Sequence, residues 1–265
     1  MDTVAIGRLR ERILSSDNRA CFIERERLLR DHADQTRALP EEERYLHEFE
    51  LLLGGLSTPV DPDDRFAGRM VEARWPYPEP FTRIPGGVGS EGHVTLPMPE
   101  ILSRGLDGIA AEVSANAARI GTPEARFFER NALGCVAAIR SFCLRYADAA
   151  DAAGKPEAAA ALRQVPCGPA YDLFSALQSI WIMQFIASTV CGSRDFAPGR
   201  LDQYLLPFFM AEPDRERARE LLAFFLIKFN EITGTATDNY DLKPIPCQAS
   251  KQYLTLGGRN ADGKW

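Results

Sequence analysis

Histidine is scarce in this chain, with 3 residues among 265, and neither a His-Glu-x-x-His motif nor a clustered set of carboxylates is present. Zinc and transition-metal sites are usually built from such groups, so their scarcity argues against a metal-binding function. The 6 cysteines are spread along the chain without a Cys-x-x-Cys pair, which is neither a zinc pattern nor a dense disulfide framework. We therefore expect a reducing cytoplasm, and no metal or cofactor bound by this segment itself.

Basic runs are also missing. The net charge is −6, from 31 basic and 37 acidic residues, and arginine and lysine are scattered among the acids. This balance argues against a general polyanion-binding surface, so nucleic acid is not an expected partner. The opening residues 1–7 lack a basic region followed by an apolar core, so no secretory signal is visible.

One apolar run, from Leu173 to Val190, is about as long as a membrane span. Gln178 and Gln184 interrupt it, Asp172 stands at its start, and no basic flank is present to anchor it. The run therefore predicts a buried core helix, and we expect no membrane partner.

The patterns that are present indicate helices. A chain of 265 residues corresponds to one or two domains at ~150 residues per domain, enough to bury a large core. Apolar spacings of three and four, prolines at helix starts and an N-capping Thr122 predict a mainly helical chain, and proline is frequent between 59 and 99, where periodicity is lost. The predicted helices cover 5–14, 22–39, 41–53, 99–118, 127–153, 157–164, 170–191 and 213–232, with one strand over 252–256.

A glycine-rich turn, residues 87–92, satisfies the G-x-G-x-x-G pattern of dinucleotide sites. That motif must follow a buried strand and open a helix, and the flanking sequence here does neither, so a tight backbone turn is favoured over nucleotide binding. His93 follows directly. Its imidazole could hydrogen-bond a substrate and move a proton, or it could simply hold the loop.

A charged segment, residues 193–207, follows the apolar run and contains Arg194, Asp195, Arg200 and Asp202. A buried helix that delivers charges to its exit must satisfy them there, because an unpaired charge removed from water is very costly. Either a structural network or a site is implied. Cys191 lies one turn earlier, and an inert buried thiol is favoured there over a nucleophile.

These segments together resemble the glycyl radical enzymes, the pyruvate formate-lyase family. The resemblance follows the chain in order from end to end, which makes it specific although each match alone is weak. The matching segments are Leu9–Arg12, Cys21–Arg25, Gly89–His93, Leu102–Gly108, the Gly-Arg-x-Asp-Gln-Tyr run at 199–204, Ile227–Glu231 and Tyr253–Gly258.

The resemblance implies a fold: an incomplete N-terminal part of the family's ten-stranded β/α barrel, mainly α with few strands. Residues 1–265 would form the N-terminal portion of a pyruvate formate-lyase-like domain, without the C-terminal glycyl radical domain. The family's thiyl-radical cysteine and radical glycine lie downstream of the Thr-Leu-Gly-Gly strand. No catalytic residue is therefore assigned within these 265 residues, and this segment alone is expected to be inactive.

The resemblance also implies an activity and partners for the full-length protein. It would be an anaerobic lyase that cleaves a C–C or C–O bond of a small polar substrate by radical chemistry, with the glycyl radical on a C-terminal glycine missing here. A radical S-adenosylmethionine activating enzyme with an iron–sulfur cluster would install the radical, and the full-length protein would be a homodimer. The alternative is a noncatalytic helical scaffold or binding protein derived from that fold.

The expected substrate pocket is lined by His93, Arg194 and Asp195. Arg194 and Asp195 occupy positions where hydroxyl-handling members of the family carry His-Ser, and a guanidinium there could grip a carboxylate in bidentate fashion. Asp195 could take a hydroxyl or orient the arginine. The structural alternative is an ion pair between Arg194 and Asp195, and for Arg200 and Asp202 the structural interpretation is favoured.

Overall fold

A computed structural model describes residues 2–15, 20–68, 87, 95–191, 197–231 and 255–258. Within those ranges the chain forms ten α-helices and no strand, which confirms the predicted mainly helical class. The helices are α1 Thr3–Ser15, α2 Ala20–Asp31, α3 Ala33–Ala38, α4 Glu41–Gly55, α5 Met98–Ile120, α6 Pro123–Ala152, α7 Pro156–Gln164, α8 Leu173–Phe185, α9 Leu201–Ala211 and α10 Arg215–Lys228, with a π-helical turn at Ile186–Val190 and a 3-10 turn at Phe229–Glu231.

Side-chain caps begin several of these helices. The Thr122 hydroxyl accepts from the backbone N–H of Ala125 at 3.2 Å, as predicted for the start of α6. Asp172 and Ser175 form a reciprocal capping box at the start of α8, and the Asp214 carboxylate caps α10. Each cap supplies acceptors for N–H groups that have no partner within the helix.

Helix α8 is the centre of the core, and every one of its residues is buried. The stretch Leu173–Val190 is long and apolar enough to cross a membrane, but 94% of it is buried inside the fold. Two of its polar side chains bond to the loop that follows α4: the Gln178 amide exchanges two 2.9 Å hydrogen bonds with the backbone of Ala67, and the Trp181 indole donates to the carbonyl of Gly68 at 2.6 Å. The predicted buried core helix is confirmed.

A buried lysine cluster joins α10 to the loop that follows α4. The Lys228 side chain is fully buried, contacts the Asp64 carboxylate, and lies 3.2 Å from both carboxylate oxygens of Glu231. Its Nζ also lies 4.5 Å from the centroid of the Trp181 ring. Burial alone would lower the pKa of Lys228, but Asp64 and Glu231 raise it by more, so the ammonium stays charged.

Helix α5 is kinked at Gly105, whose φ of 69° and ψ of 169° are not helical. The kink admits the loop between α7 and α8: the N–H groups of Leu106 and Asp107 donate at 2.9 Å to the carbonyls of Pro166 and Cys167. A Cβ on Gly105 would lie 2.1 Å from the Cys167 carbonyl oxygen, so only glycine allows this approach.

Two predicted helices have different bounds in the structure. The helix expected over 22–39 is interrupted at His32, whose φ of −113° and ψ of 9° separate α2 from α3. The helix expected from Ala170 begins at Leu173, because Asp172 is extended and serves as the N-cap. Neither boundary carries glycine, and proline precedes only the second of them.

Two further differences concern the last third of the chain. Helix α9 lies where the sequence analysis predicts no helix, and it contains Pro207. Of the strand expected over 252–256, only Thr255 and Leu256 lie within the described residues, and both are in a loop. That strand prediction is wrong at these two positions.

Candidate functional site

The three residues predicted to line a pocket, His93, Arg194 and Asp195, lie outside the described residues. The structure does describe the residues on both sides of them. Gly87 and Thr95 flank the histidine, and Cys191 and Ala197 flank the arginine and aspartate. The candidate site is therefore built from these flanking positions and from what holds them.

A π-helical turn carries α8 toward the site. The backbone N–H of Cys191 donates to the carbonyl of Ile186 at 3.0 Å, five residues back. The carbonyl of Val190 in turn accepts from Nε of Arg25 at 2.9 Å, and Arg25 is paired with Glu26. Single π turns within helices occur often at functional sites, and this one is fixed from α2 by a buried guanidinium.

The surroundings of the Cys191 thiol, at the end of this turn, disfavour its reactive thiolate form. Burial raises its pKa, and a hydrogen bond with Tyr45 and the charge of Arg25 lower it by less. Burial likewise raises the pKa of Cys135 and of Cys167 to about 11 each. A thiol with a raised pKa is a poor nucleophile, which agrees with the predicted inert cysteine.

Three chain segments meet at Gly199. A methyl group placed on Gly199 would lie 3.2 Å from Cγ2 of Thr95, so the Thr95 side chain lies against the backbone of Gly199. The carbonyl of Gly199 accepts from the N–H of Thr255 at 3.4 Å, and the preceding carbonyl, of Pro198, accepts from the Tyr204 hydroxyl at 2.6 Å. The segment after His93 and the segment after Asp195 are thereby brought together with the Thr-Leu-Gly-Gly segment.

Arg200 and Asp202 hold a pair of glycines. The Arg200 guanidinium donates to the carbonyl of Gly257 at 2.8 Å, and the Asp202 carboxylate accepts from the N–H of Gly257 at 2.9 Å. Gly257 and Gly258 have φ of 78° and 83°, a region that favours glycine. These contacts support the structural interpretation that the sequence favoured for Arg200 and Asp202.

The glycine-rich turn begins against a carboxylate. Glu48, on α4, is 3% exposed, and a Cβ on Gly87 would lie 2.1 Å from its Oε2. Glycine at position 87 lets the Glu48 carboxylate lie against the backbone there. A buried carboxylate at this place would repel the phosphates of a dinucleotide, which favours the tight-turn interpretation of the motif.

Sequence reasoning missed the residues that support the candidate site. Arg25 lies in Cys21–Arg25, one of the segments that resemble the family, but no neighbouring residue indicates that it bonds to Val190. No sequence pattern marks Glu48 or Thr95 as part of a site. Within the described part of the chain, no group of three or more histidine, cysteine, aspartate or glutamate side chains is placed to hold a metal ion.

Comparison with known proteins identifies the class. The family model described as "Pyruvate formate lyase-like" matches residues 81–265, which is more than half of the chain. The chain therefore belongs to the pyruvate formate lyase-like family, the glycyl radical enzymes.

Individual relatives agree with this assignment. Trans-4-hydroxy-L-proline dehydratase from Clostridioides difficile is 32% identical over 106 residues, which are 38% of this chain and 13% of that protein. The glycerol-bound B12-independent glycerol dehydratase from Clostridium butyricum superposes with a TM-score of 0.77 at 18% identity, over 98% of this chain and 44% of that one. A structure from Roseburia inulinivorans, described for 1,2-propanediol dehydration, gives 0.78 at 19% identity, over 99% and 41%.

The TM-scores of the two structural matches confirm the fold. At under 20% identity, these matches show the fold and nothing further. This chain spans less than half of the length of each of those structures, and its 106-residue match to the curated relative covers 13% of that protein. The prediction of a mainly helical part of a larger glycyl radical enzyme fold is confirmed.

Proposed function

We propose that the complete protein is a glycyl radical dehydratase, a lyase that breaks a C–O bond of a small hydroxylated substrate and releases water. Family membership supports the radical class. The relatives named above are dehydratases of hydroxyproline, glycerol and 1,2-propanediol, which favours C–O over C–C cleavage. Residues 1–265 would supply one wall of the substrate pocket. The complete protein would be a cytoplasmic homodimer.

The observation that carries the pocket proposal is the contact between Gly199 and Thr95. His93 lies two residues before Thr95, and Asp195 lies four residues before Gly199. An extended chain covers ~3.5 Å per residue, so the connecting chain can separate His93 and Asp195 from that contact by at most about 7 Å and about 14 Å. This reach supports a shared pocket for His93, Arg194 and Asp195.

Each of the three residues has a role in the proposed reaction. Arg194 would bind a substrate carboxylate through its planar guanidinium, which favours a hydroxy acid or amino acid over a simple diol. Asp195 would accept a hydrogen bond from the substrate hydroxyl and orient Arg194. His93 would give a proton to the departing hydroxyl, so that it leaves as water.

The radical itself would come from elsewhere in the complete protein. As the family resemblance implies, an activating enzyme that uses S-adenosylmethionine and an iron–sulfur cluster would install it on a glycine. We assign neither that glycine nor the thiyl-forming cysteine within these 265 residues.

Arg194→Lys tests the substrate role. In the complete, activated protein we expect KM for a carboxylate-bearing substrate such as trans-4-hydroxy-L-proline to rise about tenfold or more, because lysine keeps the charge but loses the planar fork. The thermal melt should be unchanged. Arg163→Lys, on the surface beside Asp148 and Asp151, is the matched control and should leave both unchanged. If Arg194→Lys has normal kinetics, Arg194 does not bind the substrate and its role is structural.

The radical assignment is tested on the 265-residue chain itself. Incubated anaerobically with a family activating enzyme and S-adenosylmethionine, it should show no glycyl doublet in electron paramagnetic resonance. A doublet that moves on glycine isotope labelling of this chain would place the radical here and overturn the assignment. If the complete protein also gives neither a doublet nor turnover, the noncatalytic scaffold becomes the better explanation.

A further inference from the structure

Two side chains hold the point where the chain leaves the π turn. Nε of Arg25, on α2, donates to the carbonyl of Val190 at 2.9 Å. The next residue, Cys191, is hydrogen-bonded to Tyr45, on α4. The end of the turn is therefore held from two helices that lie far earlier in the chain and that pack against each other.

The contact from α2 is made by a buried ion pair. Arg25 and Glu26 are each 8% exposed, and the Arg25 guanidinium bonds to the Glu26 carboxylate. The cost of removing such a pair from water can exceed the attraction between its charges, so apolar residues of similar volume often give equal stability. Stability alone therefore does not explain this pair. A planar guanidinium adds direction, because it fixes the angle between the two groups that it bonds.

The segment held by Arg25 leads into the proposed substrate pocket. Arg194 lies four residues after Val190, so a shift of Val190 moves the start of the short segment that carries this arginine. The other segment that leads to the pocket is supported from α4: Glu48 lies against Gly87, six residues before His93. The helix pair α2 and α4 thus supports both segments.

We propose that Arg25 is a positioning residue for the substrate pocket: by fixing Val190, it sets the place from which Arg194 and Asp195 reach the substrate. The inference rests on the proposed function, which assigns those two residues to the pocket. An arginine that only closed the end of a helix would contribute to stability and leave substrate binding unaffected, and this difference is what an experiment can measure.

The test removes the ion pair as a unit from the complete, activated protein. Arg25→Met/Glu26→Met takes away both charges together, so the melting temperature should stay near that of the wild type. KM for trans-4-hydroxy-L-proline should nevertheless rise at least about fivefold, because the guanidinium that fixes Val190 is gone. Arg25→Lys is the second variant. It keeps the charge, loses the planar fork and should raise KM in the same direction, so it carries the test if the double variant does not fold.

A double-mutant cycle shows whether Arg25 acts through Arg194. If it does, Arg25→Lys should raise KM less in a protein that already carries Arg194→Lys, and the combined effect should fall at least about threefold short of the product of the two single effects. Independent effects would multiply, and that result would overturn the proposal.

Arg145→Lys is the matched control, because Arg145 also closes the end of a helix. Its guanidinium donates to the carbonyls of Leu53 and Gly54 at 2.7 Å and 2.8 Å, at the opposite end of α4 from Tyr45. Arg145→Lys should lower the melting temperature and leave KM at the wild-type value. An unchanged KM in either folded Arg25 variant would show that Arg25 has the same structural role as Arg145.

Amide hydrogen exchange gives a readout that needs no turnover. In both Arg25 variants of the complete protein, the peptide that contains residues 191–197 should exchange at least about tenfold faster than in the wild type, and in Arg145→Lys it should not. Wild-type exchange in the Arg25 variants would overturn the proposal. If the proposed function fails, because the wild-type protein is inactive or Arg194→Lys has no effect, this exchange alone decides whether Arg25 positions the segment.

Discussion

Replacing Lys228 by methionine should lower the free energy of unfolding by about 3–5 kcal/mol, because it leaves buried carboxylates without their cation. Asp64 and the Lys228 side chain are fully buried, and Glu231 is 3% exposed, so water cannot substitute for the ammonium. Methionine keeps most of the side-chain volume, which limits the cavity. Urea or guanidinium unfolding at pH 7, followed by circular dichroism, measures the change.

A surface arginine gives the matched control for Lys228→Met. Arg163 pairs with Asp148 and Asp151 on the surface, where ion pairs contribute little, so Arg163→Met should leave the free energy of unfolding nearly unchanged. Because the pKa of Lys228 is raised in the fold, its contribution is complete at neutral pH and is lost only as the pH rises above the ordinary value of 10.5. Equal effects of the two variants at pH 7 would contradict the buried cluster.

Gly105→Ala should destabilise the chain by about 3 kcal/mol or more, or prevent folding, since alanine is strained at a positive φ and its Cβ meets backbone. The Cβ would lie 2.1 Å from the carbonyl oxygen of Cys167, and backbone held by two hydrogen bonds cannot move aside cheaply. Thermal melts of soluble material, or the soluble fraction on expression, report the result.

Gly7→Ala is the control for Gly105→Ala. Gly7 lies inside α1, and nothing lies within 4 Å of the position that its Cβ would take. Alanine there should raise the free energy of unfolding by about 0.5–1 kcal/mol through helix propensity. If Gly105→Ala also raised stability, the kink in α5 would not be held by the loop between α7 and α8.

Features that depend on neighbours in sequence were predictable. Thr122 and Pro123 indicated the start of α6, because an N-cap and a proline at the first helical position act within one turn. The apolar run from Leu173 indicated a buried helix, because its composition alone decides that it cannot face water.

Features that depend on distant contacts were not predictable. The break at His32 has no local breaker residue, and the kink at Gly105 exists because the carbonyls of Pro166 and Cys167 approach it from another part of the chain. The same holds at the candidate site. The approach of the Thr95 side chain to Gly199 brings together segments about a hundred residues apart, and no spacing within either segment encodes it.

The π turn at the end of α8 holds one more residue than an α-helical turn would. The hydrogen bond from Cys191 to Ile186 spans five residues, and an α-helical hydrogen bond spans four. Because the π turn closes its residues over about the same arc as one α-helical turn, deleting one residue within Ile186–Val190 would restore ordinary helix geometry with little rotation of the chain beyond it. The length of the chain can therefore change by one residue at this turn while the two ends of the turn keep their relative positions.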